Sequence, residues 1–536
     1  MTVQAAGAAL TVSGVKARIA EKTEFALLDL REEAVYAAGH PLFATSLPLG
    51  RLELEIAKLI PRRSTPIALY DDGDGLAERA IAKLERFGYT NVAVMAGGVA
   101  AWQAAGYELF AGLNVPSKAL AEAIEEAQGT PHIDARELHA KIAAGENVVI
   151  LDSRPIEEFA RMSIPGGIDC PGAELVYRAH DFVTEPESFV VVNCAGRTRS
   201  IIGAQSLINS GLPNRVAALK NGTMGWLLAG LDLAHGEQRR VPKPSPEGLA
   251  KAQHAARTVA ERFGVETIDG ATLARFRDET AQRNLYIFDV RSPEEYQAGH
   301  VADARSAQGG QLVQATDRFV GVRNARIVLI DDDGVRATMT ASWLVQLGVG
   351  DVYVLAEDAR RAEALADGPE TERILGLDDA RAVPITPEEL ADVRGNVAIV
   401  DLDTSANYRK GHIPGAHFAI RARLASSLTK LPGAQSLVLT SANGTLARLA
   451  ASEAAALVPF PVKVLAGGTR AWGERGLPLE TGATRLLDDP VDVLVKPHER
   501  PGDTAKEMRE YLQWETGLGA QLRRDGDAPF VRLLGP

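Results

Sequence analysis

Cys194 lies in a short segment whose residue types suit nucleophilic and anion-binding chemistry. An apolar run before it, residues 189–192, predicts a buried strand, and residues 201–207 after it predict a helix. At such a turn, backbone N–H groups and the positive end of the helix dipole favour a thiolate and attract an anion. We therefore expect an accessible cysteine with its pKa lowered to roughly 3.5–7.5, a buried structural cysteine being the alternative. The expected catalytic and substrate-binding segment is Cys194, Ala195, Gly196, Arg197, Thr198, Arg199 and Ser200.

This segment belongs to one of four copies of an internal repeat. In each copy an apolar run ends in an aspartate, and an aromatic residue follows seven positions later. A second apolar run then leads to a position that lies 42 residues after the aspartate in three copies and 40 in the fourth. Repeats of this kind determine the architecture of the whole chain. The aspartates are Asp29, Asp152, Asp289 and Asp401, and the later positions hold Asp71, Cys194, Asp331 and Ser441.

Three further motifs support a family resemblance. A third apolar run leads to a tryptophan in three copies, at Trp102, Trp226 and Trp472, and the third copy lacks it. An Asp-x-Arg sequence follows the first run, and a Gly-His-Ile-Pro-Gly-Ala turn is intact at residues 411–416. Together with the cysteine loop, these motifs resemble the rhodanese (sulfurtransferase) family. The resemblance implies an α/β fold of four tandem rhodanese-like domains, each a parallel sheet flanked by helices on both faces. Short Val/Ile/Leu-rich runs separated by helical patterns agree with it.

The repeats also predict where the domains begin and end. We call the four domains units 1 to 4, and each is long enough to bury its own core. Unit 2 carries Cys194 and is expected to be catalytic. The predicted segments are unit 1 at 8–110, unit 2 at 130–236, a linker helix at 237–265, unit 3 at 266–365, unit 4 at 385–481 and a C-terminal tail at 482–536.

Composition narrows the functional class. The chain is 46% hydrophobic and 24% charged, as is usual for a globular protein. Its net charge of −12 argues against nucleic acid or an anionic membrane as a partner. No apolar run approaches the roughly 18 residues of a membrane span, and the N-terminus lacks the pattern of a signal peptide. Two cysteines in 536 residues favour a reducing compartment, and we expect a cytoplasmic location.

The other three units carry no thiol at the equivalent position. Units 1 and 3 have acidic loops beginning at Asp71 and Asp331, which would repel an anionic substrate. Unit 4 has Ser441, for which no base is evident nearby. We expect these units to be inactive scaffolds. Recognition of a cation or a partner by the acidic loops is the alternative, although a calcium loop is excluded because no glutamate completes it.

Histidine gives no general base for Cys194. Three units carry a histidine eleven residues after the aspartate, at His40, His300 and His412, but unit 2 has Ser163 there. We therefore interpret this histidine as a packing feature of the turn. Activation of the thiol is expected to come from loop amides, the helix dipole and the arginines. No metal-ligand spacing is present, and neither a metal nor a cofactor is expected.

Two further residues of unit 2 carry predictions. Cys170 replaces an apolar residue usual in the family, so we expect it in the core, with a role as a resolving thiol as the alternative. Lys220 ends an apolar run where the other units have Met95, Leu355 and Leu465. Because the ends of parallel strands face the ligand crevice, we expect Lys220 to contact the substrate anion, a solvated lysine being the alternative.

The resemblance implies sulfur transfer through a persulfide on Cys194. A small-molecule donor such as thiosulfate would supply the sulfur, and a thiol or cyanide would accept it. Two alternatives stay open. One is a phosphatase with a Cys-x5-Arg loop, although Arg199 stands one position too early and residues 194–200 hold no acid. The other is a scaffold or persulfide carrier. The donor, the acceptor and the oligomeric state are left open by the sequence.

Overall fold

The chain forms four five-stranded parallel sheets, one for each repeat. A computed structural model describes residues 8–431, 433–496 and 502–530. Each sheet has the same strand order, in which the second, fourth and fifth strands form the centre. The predicted α/β fold of four repeated units is therefore confirmed. Part of the predicted tail, 482–536, and the first seven residues of the N-terminal stretch lie outside the described residues.

Unit 1 and unit 2 are joined by a single helix. In unit 1, strands β1–β5 are Ala8–Leu10, Ala26–Asp29, Thr45–Ser46, Ile67–Tyr70 and Val92–Met95, and helices α1–α5 are Val12–Ala20, Glu33–Tyr36, Leu52–Leu59, Leu76–Arg86 and Gly98–Ala104. Helix α6, Val115–Gln128, follows. In unit 2, strands β6–β10 are His132–Ile133, Val148–Asp152, Ile168–Asp169, Phe189–Asn193 and Val216–Leu219, and helices α7–α11 are Ala135–Ala143, Ile156–Arg161, Glu174–Phe182, Thr198–Asn209 and Gly222–Leu228.

Helix α12, Pro246–Phe263, leads to unit 3, and helix α24, Thr504–Asp525, follows unit 4. In unit 3, strands β11–β17 are Glu266–Ile268, Leu285–Asp289, His300–Val301, Arg305–Ser306, Ala325–Ile330, Gly350–Leu355 and Leu365–Ala366, and helices α13–α18 are Gly270–Asp278, Pro293–Ala298, Gly309–Gln314, Thr316–Phe319, Val335–Leu347 and Glu357–Ala362. In unit 4, strands β18–β22 are Val383–Ile385, Ala398–Asp401, His417–Phe418, Leu437–Thr440 and Val462–Leu465, and helices α19–α23 are Pro387–Val393, Ser405–Lys410, Leu424–Ser427, Thr445–Leu457 and Gly468–Glu474. Strands β13 and β17 form a separate antiparallel pair, and short 3-10 turns occur at Leu49–Arg51, Glu279–Ala281, Arg394–Asn396, Arg421–Arg423 and Leu428–Lys430.

Three helices outside the repeat hold the units together. Helix α6 is buried from Val115 to Ile124, and α24 packs against it. Helix α12 lies between α9 of unit 2 and α17 of unit 3, and its alanines allow the close approach. The pattern of repeats does not predict α6, although its ends are signalled by Pro116 in the first turn and by Gly129 with φ of 63° at the C-cap. Because these helices are buried between the units, they hold the units that surround the cysteine loop in place relative to one another.

The repeated polar residues build the same local structure in different units. In units 1 to 3 the aspartate at the end of the first central strand binds the arginine two residues later, as in Asp152–Arg154 at 2.8 Å. The repeated histidines stack on the preceding tyrosines, with ring centroids 3.7 or 3.8 Å apart. His40, His300 and His412 are all buried, so their predicted packing role is confirmed.

The described residues form neither a metal site nor a membrane-spanning helix. No group of three or more histidine, cysteine, aspartate or glutamate side chains in residues 8–431, 433–496 and 502–530 is arranged to hold a metal ion. Within the same residues, no helix has both the length and the apolar character needed to cross a membrane.

Candidate active site

Cys194 lies in the loop between β9 and α10, as the strand-turn-helix pattern predicts. Its Sγ atom lies 3.5 Å from Ser200 Oγ, to which the thiol donates a hydrogen bond. Ser200 Oγ in turn donates to the carbonyl oxygen of Arg197 at 2.7 Å. The first turn of α10 therefore closes around the thiol.

The thiol differs from the expectation in two respects. Cys194 is only 2% exposed, so the prediction of an accessible side chain is wrong. Burial raises the pKa of Cys194, and this effect exceeds the opposing effects of Arg199 and of the hydrogen bonds between the thiol and Ser200. The prediction of a lowered pKa is therefore also wrong. The physical reason is desolvation, because a thiolate that is removed from water loses more stabilisation than one nearby guanidinium returns.

One backbone amide points at the cysteine position in every unit. It belongs to the residue six positions later, at the start of the following helix. In unit 2 this is the N–H of Ser200, whose hydrogen bond acts to lower the pKa of Cys194. In the other units the same amide donates to a side-chain oxygen: Ala77 to Asp71 at 2.9 Å, Ala337 to Asp331 at 2.9 Å and Ala447 to Ser441 at 3.3 Å. In units 1 and 3 the anion-binding position at the start of the helix is therefore occupied by the side-chain carboxylates of Asp71 and Asp331.

The N-terminus of α11 holds the cysteine loop in shape. The N–H groups of Thr223 and Met224 donate to the carbonyl oxygens of Cys194 and Ala195 at 2.9 and 3.1 Å. Gly222 has φ of 54°, and a Cβ atom on it would lie 2.2 Å from the Cys194 oxygen. Glycine is therefore required here, which gives the physical reason for the glycine that precedes the repeated tryptophan.

Arg197 binds the helix between units 1 and 2. Its guanidinium donates to both carboxylate oxygens of Glu122 at 2.7 and 2.8 Å, and it also pairs with Glu125. Burial raises the pKa of Glu122 to about 7, although Arg197 opposes this shift. The arginine thus fastens the cysteine loop to α6, and a direct role in binding substrate stays a prediction.

Arg199 forms a bidentate pair with Glu158 at 3.1 and 2.9 Å. Burial acts to raise the pKa of Glu158, but Arg199, with smaller effects of Lys496 and Arg154, outweighs it, and the pKa is lowered to about 2. Arg199 also acts to lower the pKa of Cys194. This cation therefore stabilises the thiolate, while its orientation is fixed by a carboxylate from another part of unit 2.

Helix α24 brings residues to the loop that the repeat pattern does not predict. Thr198 Oγ1 donates to Glu515 Oε1 at 2.7 Å, and Glu515 is 1% exposed. The other carboxylate oxygen, Oε2, has no hydrogen-bond partner within the described part of the chain. A Cβ atom on Gly196 would lie 3.3 Å from that oxygen and 3.6 Å from the ring of Tyr511. Residues 194–200 contain no acid, as predicted, but Glu515 of α24 brings a carboxylate next to them.

A cavity of about 550 Å³ opens beside the loop, between units 1, 2 and 3 and α24. Its lining includes Ala195 and Arg199 from the loop and Arg154 from unit 2. Tyr511 and Trp514 form an aromatic wall. Lys220 is exposed at the end of β10 and is not one of the described residues that line this cavity, so its contact with a substrate stays a prediction.

Comparisons with known proteins agree with this arrangement. The model of the rhodanese-like domain matches four segments, residues 11–105, 134–229, 272–360 and 386–475. The chain belongs to the rhodanese family. The crystal structure of a thiosulfate sulfurtransferase from Pseudomonas aeruginosa is 48% identical to this rhodanese, with a TM-score of 0.93, and the match covers 98% of this chain and 99% of that one.

A second relative is more distant. A putative sulfur carrier protein, YrkF from Bacillus subtilis (strain 168), is 28% identical over 102 residues. That match covers 19% of this rhodanese and 54% of the curated relative, so it spans about half of that protein's length. The resemblance inferred from the repeats is confirmed, and the similarity to a sulfurtransferase over nearly the whole chain supports an enzyme.

The second cysteine of this rhodanese is part of the core. Cys170 is 1% exposed, and burial raises its pKa well above the usual value. Its N–H donates to the carbonyl oxygen of Asp152 at 2.8 Å, next to the short strand β8. Both cysteines are free, and a protonated, enclosed Cys170 agrees with the predicted core position.

We expect Glu515→Gln to lower the pKa of Cys194, because the negative charge of Glu515 acts to raise it. A shift of about half a unit would increase the thiolate fraction at neutral pH about threefold. The measurement is a pH titration of thiolate ultraviolet absorbance, with Cys194→Ser as the blank. Thr198→Val is the matched control, because it removes the hydrogen bond to Glu515 and keeps the charge. An unchanged pKa in Glu515→Gln, or an equal decrease in both variants, would contradict the electrostatic argument.

Proposed function

We propose that this rhodanese transfers sulfane sulfur from thiosulfate, through a persulfide on Cys194, to a thiol or cyanide. The observation that carries the proposal is Cys194 at the N-terminus of α10, where the hydrogen bond of the Ser200 amide and the charge of Arg199 both act to lower the pKa of its thiol. The 48% identity to the thiosulfate sulfurtransferase from Pseudomonas aeruginosa supports the choice of donor.

The first step forms the persulfide. Cys194 thiolate attacks the outer sulfur of thiosulfate, a bond forms between the two sulfurs, and the S–S bond of thiosulfate breaks. Its electron pair leaves on sulfite, so no external oxidant is needed. Arg199 and the Ser200 amide stabilise the negative sulfur before and after the transfer. The persulfide anion then takes the place of the thiolate at the Ser200 amide. The equivalent amides of units 1 and 3 bind the carboxylates of Asp71 and Asp331.

The second step releases the sulfur. The thiolate of an acceptor, or cyanide, attacks the outer sulfur of the persulfide, and the electron pair of the breaking S–S bond returns to Cys194. The products are a new persulfide or thiocyanate. Because donor and acceptor react in turn at one sulfur, ping-pong kinetics are expected. A small acceptor fits this site better than a folded protein, because Cys194 is 2% exposed and lies beside the cavity of about 550 Å³.

The three units without a thiol have a structural role in this proposal. Units 1 and 3 contribute walls of the cavity, through Ala37 and Gln311 for example. Unit 4 is bound to unit 1 by Arg421, which pairs with Glu53 at 2.9 Å. A cytoplasmic location and the absence of nucleic-acid and membrane partners remain predictions from composition.

The test compares sulfur and phosphorus chemistry in the same preparation. We expect sulfite release from thiosulfate with cyanide as acceptor, and hydrolysis of p-nitrophenyl phosphate slower by at least about a hundredfold. Glu515 makes the comparison necessary, because a carboxylate beside the loop is what a phosphatase needs as a general acid. Faster hydrolysis of the phosphate ester than release of sulfite would overturn the proposal.

A further inference from the structure

The repeats provide an internal comparison for the arginine of the Asp-x-Arg sequence. In unit 1, Arg31 Nη1 donates to the carboxylate of Asp72 at 3.1 and 3.4 Å. In unit 3, Arg291 Nη1 donates to the carboxylate of Asp332 at 3.0 Å for both oxygens. Each of these aspartates directly follows the residue that occupies the cysteine position. In both units, therefore, Nη1 of this arginine binds a carboxylate from the loop at the cysteine position.

Unit 2 has the same guanidinium without the carboxylate. Arg154 binds Asp152 through Nε and one Nη2 hydrogen bond, each 2.8 Å long, and Nη2 also donates to the Met162 carbonyl oxygen at 2.6 Å. The residue that corresponds to Asp72 and Asp332 is Ala195, which has no acceptor side chain. The Arg154 side chain forms its hydrogen bonds through Nε and Nη2, and Nη1 has no hydrogen-bond partner in the described ranges. Both Arg154 and Ala195 line the cavity.

We propose that Arg154 binds the sulfonate oxygens of the donor, at the position that Asp72 and Asp332 fill in units 1 and 3. This inference rests on the proposed function and adds a donor-binding residue to it. Thiosulfate requires two neighbouring anion positions, one for the attacked sulfur and one for the oxygens. Units 1 and 3 show such a pair, because consecutive carboxylates occupy the amide and the arginine.

The two positions also suit the leaving group. As the S–S bond breaks, negative charge moves onto the sulfite oxygens, where a planar guanidinium donates hydrogen bonds of fixed direction. Arg154 is 1% exposed and is held by Asp152, so its orientation requires no rearrangement when the donor binds. Arg197 and Arg199 are each paired with glutamates, whereas Arg154 Nη1 has no hydrogen-bond partner in residues 8–431, 433–496 and 502–530.

The test installs the missing carboxylate. Ala195→Asp reproduces the sequence of units 1 and 3 and is expected to occupy Arg154, while Ala195→Asn has the same size without the charge. We expect the KM for thiosulfate to be about ten- to a hundredfold higher in the aspartate variant than in the asparagine variant, as for the loss of a hydrogen bond to a charged group. Equal KM values in the two variants would overturn the inference. Arg154 itself is left intact, because its substitution would also break the buried pair with Asp152.

A binding measurement separates this inference from the proposed function. Calorimetric titration with sulfite reports oxyanion binding without turnover. Sulfite binding to the wild-type enzyme that is lost in Ala195→Asp and retained in Ala195→Asn supports the subsite. If the wild type shows this binding but does not turn over thiosulfate, the proposed function is rejected and the subsite is not. Equal sulfite affinity in all three proteins would reject the subsite, and sulfite release by the wild type would then leave the proposed function standing.

Discussion

Cys194→Ser is expected to abolish sulfite release from thiosulfate. The serine hydroxyl cannot form a persulfide, so the loss should be on the order of a thousandfold or more, as for removal of other covalent nucleophiles. The substitution is conservative in size. In unit 4 a serine, Ser441, already occupies the same position, and its Oγ accepts a hydrogen bond from the N–H of Ala447. The loop should therefore keep its shape. Sulfite release at saturating thiosulfate and cyanide is the measurement.

Cys170→Ser is the matched control for this prediction. Cys170 is buried in the core and its thiol is protonated at neutral pH, because burial raises its pKa. We expect this variant to retain sulfite release and to be less stable than the wild type, because a hydroxyl in the core costs free energy. Comparable loss in both variants, with both proteins folded by circular dichroism, would show that Cys170 takes part in the transfer.

Arg199→Gln is expected to reduce kcat/KM for thiosulfate by about ten- to a hundredfold. Arg199 is the charged group that most lowers the pKa of Cys194, and its removal leaves burial less opposed. The pKa of the thiol should therefore increase further. As a result, the rise of kcat/KM with pH should move to higher pH, which a pH profile of sulfite release measures directly.

The glutamate that binds Arg199 requires its own control. Arg199→Gln leaves the partly buried Glu158 without its partner, which is expected to lower the free energy of unfolding, though by less than for a fully buried ion pair. The double variant Arg199→Gln with Glu158→Gln removes that charge and should recover stability without recovering activity. Wild-type activity in the double variant would mean that Arg199 serves only to neutralise Glu158.

The repeated features of the fold could be predicted because they appear several times in the sequence. The aspartates at the ends of the first central strands and the histidine of the turn each serve a local geometry that is built from residues close in sequence. Asp152 and Arg154, for example, are two residues apart and form one buried pair. Repetition separates these positions from their variable neighbours, and the strand-loop-helix context of Cys194 follows from the same pattern.

The surroundings of Cys194 could not be predicted in the same way. Arg197 and Arg199 favoured an exposed, cationic loop, but the fold pairs them with Glu122 and Glu158, 75 and 41 residues away. Glu515 reaches Thr198 from 317 residues away. Helices α6 and α24 occur once in the chain, so no repeat signals their position. Burial of the thiol, and hence the raised pKa, depends on these distant elements.

The number of sulfur atoms that the chain accepts tests the central claim most directly. The purified enzyme is incubated with thiosulfate without an acceptor, desalted, and examined by intact mass spectrometry beside Cys194→Ser. We predict that the mass of the wild type increases by one sulfur atom, that cyanide removes this sulfur, and that Cys194→Ser gains none. A wild-type protein without added sulfur, or a sulfur that persists in Cys194→Ser, would contradict a persulfide carried by Cys194 alone.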